Sequence, residues 1–216
     1  MSFQAGSIPL VALTAWQALV ERAGLKKGQK VLIHAGSGGV GTIAIQLAKH
    51  LGATVATTAS TTNLDLVKSL GADIAIDYKT TDFVKVLSDY DVVLNSLGTE
   101  ALNKSLEVLK PGGKLISISG PPDPDFAKSQ GASWFLKLAV SLLSFGIRKK
   151  AKRRRVSYSF VFMRASGEQL SEITSLIAAG IIRPVVDRLF PFESTSDALA
   201  YVESGRAKGK VVVKVR

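Results

Sequence analysis

Short apolar runs alternate with helical patterns along most of the chain. Between the first two runs, Val40, Ala44 and Leu47 recur at the spacing that places them on one face of a helix. Further helices are predicted at 13–23, 64–70, 101–109, 167–179 and 194–203, and Pro111-Gly112-Gly113 is expected to end the third of these. The predicted strands are 31–34, 54–58, 74–77, 91–95, 114–119, 157–163, 185–190 and 210–215.

This alternation predicts an α/β fold. Strands that are apolar throughout are typical of a parallel sheet with both faces covered by helices. Right-handed crossovers then give a Rossmann-type doubly wound sheet. We expect an entry helix in 1–28, a nucleotide-binding domain over 29–183 with a long helical basic insertion at 121–155, and a C-terminal segment over 184–216.

A glycine-rich turn links the first strand to the first helix of the sheet. "HAGSGGVG" at 34–41 places Gly36, Gly38 and Gly41 in the pattern G-x-G-x-x-G. In a dinucleotide-binding turn, the first glycine permits the tight bend, the second lets a pyrophosphate approach, and the third lets the helix pack closely. The helix N-terminus then offers N–H groups to the phosphates. We therefore assign Gly36, Ser37, Gly38, Gly39, Val40 and Gly41 to cofactor binding.

The end of the second strand favours NADP(H) over NAD(H). NAD enzymes place an acidic residue there to hold the ribose 2′-hydroxyl. This chain has Thr58, Ser60 and neighbouring small residues instead, and no carboxylate before Asp65. Small hydroxyl side chains leave room for a 2′-phosphate, so NADP(H) is the expected cofactor.

The composition excludes several classes of site. The 216 residues include no cysteine and two histidines, so disulfides and thiolate zinc sites are excluded and no metal site is predicted. No apolar run reaches the length of a membrane span, and nothing resembles a secretory signal. We therefore expect a cytoplasmic protein whose redox chemistry depends on an organic cofactor.

The net charge of +11 is concentrated in one segment. Seven of the 28 Lys and Arg residues lie between Arg148 and Arg155, which leaves 21 to balance 17 Asp and Glu. The preceding residues 134–145 are apolar nearly all round. Three interpretations stay open: a partly buried helix with a solvated charged end, a weak contact with an anionic membrane surface, and nucleic-acid binding. The third lacks any recognition module, so no nucleic-acid partner is predicted.

Several motifs together resemble one family. "LTAWQALVERAGLKKGQKVLIHAGSGGVGTIAIQLAKHLGA", "LGADIAIDY", "LKPGGKLISIS" and "SGRAKGKVVVKV" follow one another in the chain. They resemble the zinc-free medium-chain dehydrogenase/reductase superfamily, specifically its NADP-dependent quinone oxidoreductase branch. "VVLNSL" also resembles the enoyl-reductase domains of polyketide synthases.

The resemblance implies roles for further residues. Ser60 and Tyr78 would flank the 2′-phosphate and adenosine, with Thr58 nearby. Asn95, Ser96 and Leu97 would line the adenine-ribose side, Ser119 and Gly120 the nicotinamide side, and Thr14 would approach the nicotinamide ribose. Asn63 stands where the family often carries a lysine. No catalytic residue is assigned. The candidate proton donors are Tyr158 and Tyr201, but a tyrosine in a strand or helix is far more often a packing residue than an acid.

The resemblance also implies an activity. Members of the family that the chain resembles reduce quinones or α,β-unsaturated carbonyls with NADPH, and they carry a β-rich catalytic domain. We therefore expect this chain to be the cofactor half of such an enzyme. We also expect a homodimer. The alternative is a catalytically silent NADPH-binding module that acts through dimerisation or contact with a membrane surface.

Overall fold

Six parallel strands form the central sheet. The computed structural model describes residues 5–215, and strands alternate with helices throughout most of that range. The strands are β1 (Lys30–Ile33), β2 (Thr54–Ala59), β3 (Ile74–Asp77), β4 (Tyr90–Asn95), β5 (Leu109–Ser117) and β6 (Ser157–Phe160). Their order in the sheet is β3-β2-β1-β4-β5-β6. The chain therefore runs from the centre to one edge, returns, and runs to the other edge, which is the predicted doubly wound arrangement.

Helices cover both faces of this sheet. The entry helix α1 (Pro9–Trp16) continues into a π-helical turn at Gln17–Arg22. The others are α2 (Gly39–His50), α3 (Leu64–Ser69), α4 (Thr99–Val108), α5 (Pro124–Ser129), α6 (Trp134–Arg153), α7 (Gly167–Ala178) and α8 (Thr195–Glu203). Among the described residues, none of these helices combines the length and apolar character needed to cross a membrane.

The central strand β1 shows how the two faces are filled. Val31, Leu32 and Ile33 are each fully buried. Val31 and Ile33 belong to the core packed under α1 and α2, whereas Leu32 belongs to the core on the opposite face, with residues of α4 and α6. Successive side chains of a strand point to opposite faces, so a continuous apolar run fits a sheet that is covered twice.

The segment before β1 is attached to the far end of the chain. The Gln17 side chain donates to Gln169 Oε1 at 2.8 Å, and its own Oε1 accepts the N–H of Arg164 at 3.0 Å. Both Gln17 and Gln169 are buried. These bonds join the entry segment to α7, so the predicted boundary at residue 28 does not separate two independent cores.

The C-terminal strands form a second, smaller sheet. Strands β7 (Val186–Pro191) and β8 (Lys210–Lys214) pair in parallel. Gly209, which precedes β8, forms an isolated bridge with Gly38 and donates its N–H to Ser37 O at 2.7 Å. This sheet is therefore attached to the glycine-rich turn although the two lie about 170 residues apart in sequence.

Several element boundaries differ from the predictions, and the entry helix begins at Pro9 rather than at residue 13. Strand β5 begins at Leu109 rather than at residue 114, so Pro111-Gly112-Gly113 lies within a strand. Its pairing with β4 is irregular between Tyr90 and Val92, and the Gly112 N–H donates to Arg155 O at 2.7 Å, which accommodates the turn-forming residues. Strand β6 ends at Phe160 instead of residue 163.

Candidate functional site

The glycine-rich turn brings a helix N-terminus to the carboxyl end of β1. Ala35 adopts a positive φ of 50°, which bends the chain sharply after the strand. Gly38 is the N-cap of α2 and supplies no side-chain cap. The first N–H groups of a helix have no partner within it, and the helix dipole adds partial positive charge there. The turn therefore has the chemistry of an anion site.

Each of the three glycines of the motif is explained by different contacts. A Cβ on Gly36 would lie 2.0 Å from Thr57 Oγ1, and one on Gly41 would lie 2.3 Å from Ala35 O. Both positions are therefore required by packing. A Cβ on Gly38 would meet only Ala35 O, at 3.3 Å. Packing therefore restricts position 38 less than positions 36 and 41, because a side chain there would require only a small shift of the Ala35 carbonyl. Close approach of a ligand is a further reason for a glycine at this position.

A cavity of about 270 Å³ lies beside this turn. Its walls come from the turn itself, the end of β2, the residues that follow β3 and β4, and the loop before β8. The lining residues are Ala35, Ser37, Gly38, Thr58, Ala59, Ser60, Asn63, Tyr78, Leu97, Gly205 and Ala207. The cavity thus lies at the carboxyl ends of the strands, where doubly wound sheets bind their ligands.

A larger, open cavity of about 720 Å³ adjoins the first. The two share Thr58, Tyr78 and Leu97. The larger one is lined further by His34, Phe83, Gly98 and several charged residues, including Lys79 and Lys104. The cavity beside the turn is therefore continuous with a larger space along the carboxyl ends of the strands.

A cluster of polar side chains surrounds the end of β2. Ser60 Oγ lies 3.3 Å from Thr62 Oγ1, and Asn63 Nδ2 donates to Ser37 Oγ at 3.0 Å. Asn63 therefore attaches this cluster to the glycine-rich turn. Thr61 donates to the carboxylate of Asp77, and that hydrogen bond lowers the pKa of Asp77. An acidic residue therefore lies next to the end of β2, although it belongs to β3. The pattern of residues along β2 alone does not indicate it.

His34 joins the turn to α4 in the interior. Its Nε2 lies 2.9 Å from Ser105 Oγ, and Ser105 donates to Ala101 O, so Nε2 is the donor. Its Nδ1 therefore accepts a hydrogen bond from Thr58 Oγ1 at 3.2 Å, and Thr58 Oγ1 in turn accepts the N–H of Ala35 at 3.2 Å. Burial lowers the pKa of His34 to about 4. The neutral ring therefore positions Thr58 and the first residue of the turn.

Besides Gly36, Gly39, Val40 and Gly41 of the turn and the start of α2, five predicted site residues line neither cavity. Their hydroxyl, amide or N–H groups bond to nearby groups of the protein: Thr14 donates to Leu10 O at 2.7 Å, Asn95 to Leu97 O at 2.8 Å, Ser96 to His34 O at 3.2 Å, Ser119 to Leu97 O at 2.7 Å, and Gly120 N–H to Ser117 Oγ at 2.8 Å. The bonds of Asn95, Ser96 and Ser119 hold the segment after β4 in place. These three residues therefore position Leu97, which lines both cavities.

The structure thus gathers part of the predicted set around the cavity. Ser37, Gly38, Thr58, Ser60, Tyr78 and Leu97 line it, while Gly36, Gly39, Val40 and Gly41 form the turn and the start of α2. The lining residues outside the predicted set are Ala35, Ala59 and Asn63, which are neighbours of predicted residues, and the distant Gly205 and Ala207. The motif "SGRAKGK" was the available signal, but nothing in its spacing shows that it packs against Gly38.

The two candidate proton donors are occupied elsewhere. Tyr158 donates to Pro121 O at 2.6 Å, and burial raises its pKa. Tyr201 donates to Asp187 Oδ2 at 2.7 Å, and that bond raises its pKa. Neither hydroxyl lines the cavity beside the turn. No catalytic role is assigned to either tyrosine.

Comparison with known proteins identifies the family. A family model described as zinc-binding dehydrogenase matches residues 70–213. The chain belongs to the zinc-binding dehydrogenase family. The zebrafish (Danio rerio) protein named "NAD(P)H oxidoreductase RTN4IP1, mitochondrial" is 38% identical over 98% of this chain. The "2-methylene-furan-3-one reductase" of Solanum lycopersicum is 36% identical over 97% of it. The predicted membership of the medium-chain dehydrogenase/reductase superfamily is confirmed.

A solved structure confirms the fold of this family member. The quinone oxidoreductase from Coxiella burnetii matches with a TM-score of 0.83 and 32% identity, over 98% of this chain and 60% of that one. The chain spans about half the length of the curated relatives that it matches, 57% of the zebrafish protein and 46% of the tomato protein.

The prediction of a cytoplasmic protein is wrong. The zebrafish relative and the mouse, human and bovine proteins of the same name are all named as mitochondrial. The prediction rested on composition and on the absence of a secretory signal. Neither reports the destination of a protein, because targeting segments are separate from the folded domain.

The family description names zinc, and the residues of this chain do not fit it. Thiolates and imidazoles are the usual zinc ligands. The chain has no cysteine, and within residues 5–215 no three His, Asp or Glu side chains are grouped so that they could hold a metal ion. The buried His34 is bonded through both ring nitrogens. No catalytic step is therefore assigned to a metal in this chain.

Gly38→Val should abolish NADPH binding and leave the fold intact. Its backbone, at φ −80° and ψ 173°, accepts any residue, but the branched side chain would fill the space above the helix N-terminus. We expect a change of less than about 1 kcal/mol in the free energy of unfolding. Fluorescence titration with NADPH measures the loss. Gly167→Val, at the start of α7 and with open space around it, is the control. Unchanged affinity in Gly38→Val would exclude the turn as the binding site.

Lowering the pH from 6.5 to 4 should destabilise the protein through His34. In this interval the unfolded chain protonates this histidine and the folded chain does not, because its folded pKa is about 4. Stability present above pH 6.5 is lost as the pH falls, by up to about 3 kcal/mol. Urea unfolding across this range measures it. His34→Gln should remove this part of the slope, whereas His50→Gln, at an exposed position, should keep it. Equal slopes in both variants would contradict the assignment.

Proposed function

We propose that this chain is the NADP(H)-binding half of an oxidoreductase that reduces quinones or α,β-unsaturated carbonyls. One observation carries the proposal: the N-terminus of α2, which has no side-chain cap, lies at the cavity beside Gly38. Relatives named as NAD(P)H oxidoreductase, alkenal/one oxidoreductase and quinone oxidoreductase support it. The same names do not favour a silent module. The four relatives that are named as mitochondrial support a mitochondrial location.

The residues of this chain would divide the cofactor among them. The N–H groups after Gly38 would hold the pyrophosphate, and the Ser60–Thr62 hydroxyls with Lys79 would hold the 2′-phosphate. The larger cavity, past Tyr78 and Leu97, would take the adenine. Thr14, Ser119 and Gly120 would lie toward the nicotinamide, and Asn95 donates to Ser119 Oγ at 3.4 Å. The bonds of Asn95 to Leu97 O and of Ser96 to His34 O would shape the segment that follows β4. Bound NADPH supplies a hydride, and reduction of a quinone or enone requires a proton as well.

A second copy of the chain is a further proposed partner. Edge strands such as β6 pair readily with another chain. In this protein the outer edge of β6 is partly occupied. Val161 N–H donates to Ser117 O of β5, so the N–H of the preceding Phe160 points away from β5. The Asp123 carboxylate accepts that N–H at 2.9 Å. Pairing through β6 would require the segment around Asp123 to move. Sedimentation velocity measures whether a dimer forms. Contact of residues 134–155 with a membrane surface is a separate proposal.

Ser60→Asp should reverse the preference for NADPH over NADH. Ser60 lines the cavity beside the turn, and a carboxylate there would repel the 2′-phosphate and accept a bond from a ribose 2′-hydroxyl. We expect at least a tenfold change in the ratio of the two dissociation constants, or about 1.4 kcal/mol. Ser129→Asp, exposed on α5, is the control. Equal affinities for both cofactors in the unchanged protein would contradict the proposal.

The chain by itself should bind NADPH and show no quinone reduction at an enzymatic rate. A substrate cleft needs two walls, and this chain matches about half the length of its relatives. The measurement is oxidation of NADPH with a panel of quinones, for this chain and for a form that spans the full length of the relatives. Turnover by this chain at about 1 per second or faster would show that its own residues complete the cleft.

A further inference from the structure

Helix α6 presents an apolar face to solvent. The helix is attached to the domain through Val140, Ser144, Ile147 and Ala151, which are buried and follow one another at helical spacing. On the opposite side, Phe135, Leu138, Leu142, Phe145, Lys149 and Lys152 recur at alternating steps of three and four residues. We call these six residues the outer stripe. Such spacing places them along one line of the helix surface.

The outer stripe is apolar over its first two thirds. The exposed fractions are 65% for Phe135, 53% for Leu138, 67% for Leu142 and 56% for Phe145. Trp134, also 65% exposed, stacks on Phe135. Contiguous exposed apolar side chains of this size are rare on proteins that have no binding partner at that surface. The helix therefore has the character of a binding element, and only its inner face serves the core.

The remaining third of the stripe runs into a cationic groove. A groove of about 800 Å³ lies between the end of α6 and β6. It is lined by Arg148, Lys149, Lys152 and Arg155 together with Phe145, Tyr158 and neighbouring residues. Phe145 and Lys149 belong to both the stripe and the groove, and the Lys149 ammonium lies 5.6 Å from the centre of the Phe145 ring. Apolar and cationic surfaces are thus continuous.

The positive charge of this segment is not neutralised within the protein. Within residues 5–215, none of the seven cations from Arg148 to Arg155 forms an ion pair. The contacts of three of them are with neutral groups: Arg148 with Ser141 Oγ, Lys150 with Asn103 Oδ1, and Arg154 with Leu106 O. An anionic partner would therefore be attracted by cations that no acidic side chain of the described residues neutralises.

We propose that α6 binds the surface of an anionic membrane. The apolar part of the outer stripe would lie among the upper acyl chains, and the cationic groove would hold lipid phosphate and carboxylate groups. Interfacial helices combine these two features, and each cation near such a surface contributes about 1 kcal/mol. This proposal does not depend on the NADP(H) site, because none of the residues involved lines either cofactor cavity.

A second copy of the chain fits the surface less well than a lipid bilayer does. Parallel pairing of two outer stripes would bring Lys149 and Lys152 against the same residues of the other copy. Antiparallel pairing would set these lysines against Leu138 and Phe135, and only the middle of the stripe would make apolar contacts. A bilayer accommodates both ends of the stripe at once, since acyl chains and anionic headgroups lie side by side.

The test is co-sedimentation of the full chain with vesicles at low and moderate salt. One set of vesicles is phosphatidylcholine alone, and in the other about a third of the lipid is phosphatidylserine. We expect binding to the anionic vesicles only. The triple variant Arg148→Gln, Lys149→Gln, Lys152→Gln should lower partitioning about a hundredfold at low salt. Lys26→Gln, Lys68→Gln, Lys128→Gln removes the same charge at exposed positions elsewhere and should keep the binding.

The apolar part of the stripe is tested separately. Leu138→Gln with Leu142→Gln should lower binding at least tenfold, whereas Leu199→Gln with Val202→Gln, a similarly exposed pair on α8, should not. All four variants should bind NADPH with unchanged affinity, so failure of this proposal is distinguishable from failure of the proposed function. Raising the salt should weaken the binding, because charge attraction is screened over about 8 Å at physiological ionic strength.

Four results would overturn the proposal. The first is absence of binding to anionic vesicles at low salt. The second is equal loss of binding in the two charge variants, which would show a general effect of net charge. The third is a dimer in sedimentation velocity that Leu138→Gln with Leu142→Gln dissociates, without vesicle binding. The fourth is displacement from vesicles by inorganic phosphate or a duplex oligonucleotide at far lower concentration than the lipid phosphate present, which would indicate a soluble anion or nucleic acid as the ligand.

Discussion

The close packing of α2 against the end of β1 is the constraint on which the site depends. Any side chain at position 36 or 41 would collide with Thr57 or with the Ala35 carbonyl. Because both positions are glycine, α2 can begin at Gly39, close to the end of β1 at Ile33. The N-terminus of α2 therefore lies at the carboxyl edge of the sheet. The cavity beside Gly38, and the binding of any anion there, follow from that approach.

Apolar periodicity was sufficient to predict the central sheet. The buried runs of β1, β2 and β4 are bounded by turn residues, and the intervening helices show one apolar face each, so a doubly wound parallel sheet could be predicted, although not the order of its strands. The prediction was less accurate at Pro111-Gly112-Gly113, which lies in β5. Local propensity indicates a turn there, but pairing with β4 and the bond from Gly112 to Arg155 outweigh it.

The site was predictable where its residues lie close together in sequence. Ser37, Gly38 and Ser60 were found from a motif and from the end of the following strand. Asp77, from the neighbouring strand β3, and Gly205, about 170 residues beyond the turn, come to the site only through tertiary contacts. The exposure of α6 was equally hidden, because a helix that is apolar on nearly every side indicates burial. The sequence does not show that only one face has neighbours.

The bond between Gly209 N–H and Ser37 O links two elements that would otherwise open independently. A two-stranded sheet such as β7–β8 has little core of its own, so its amide hydrogens should exchange through local opening rather than through global unfolding. A ligand held at the glycine-rich turn would fix one side of this bond and oppose that opening. Occupancy of the turn is thereby coupled to the exchange rate of a sheet that the ligand does not itself contact.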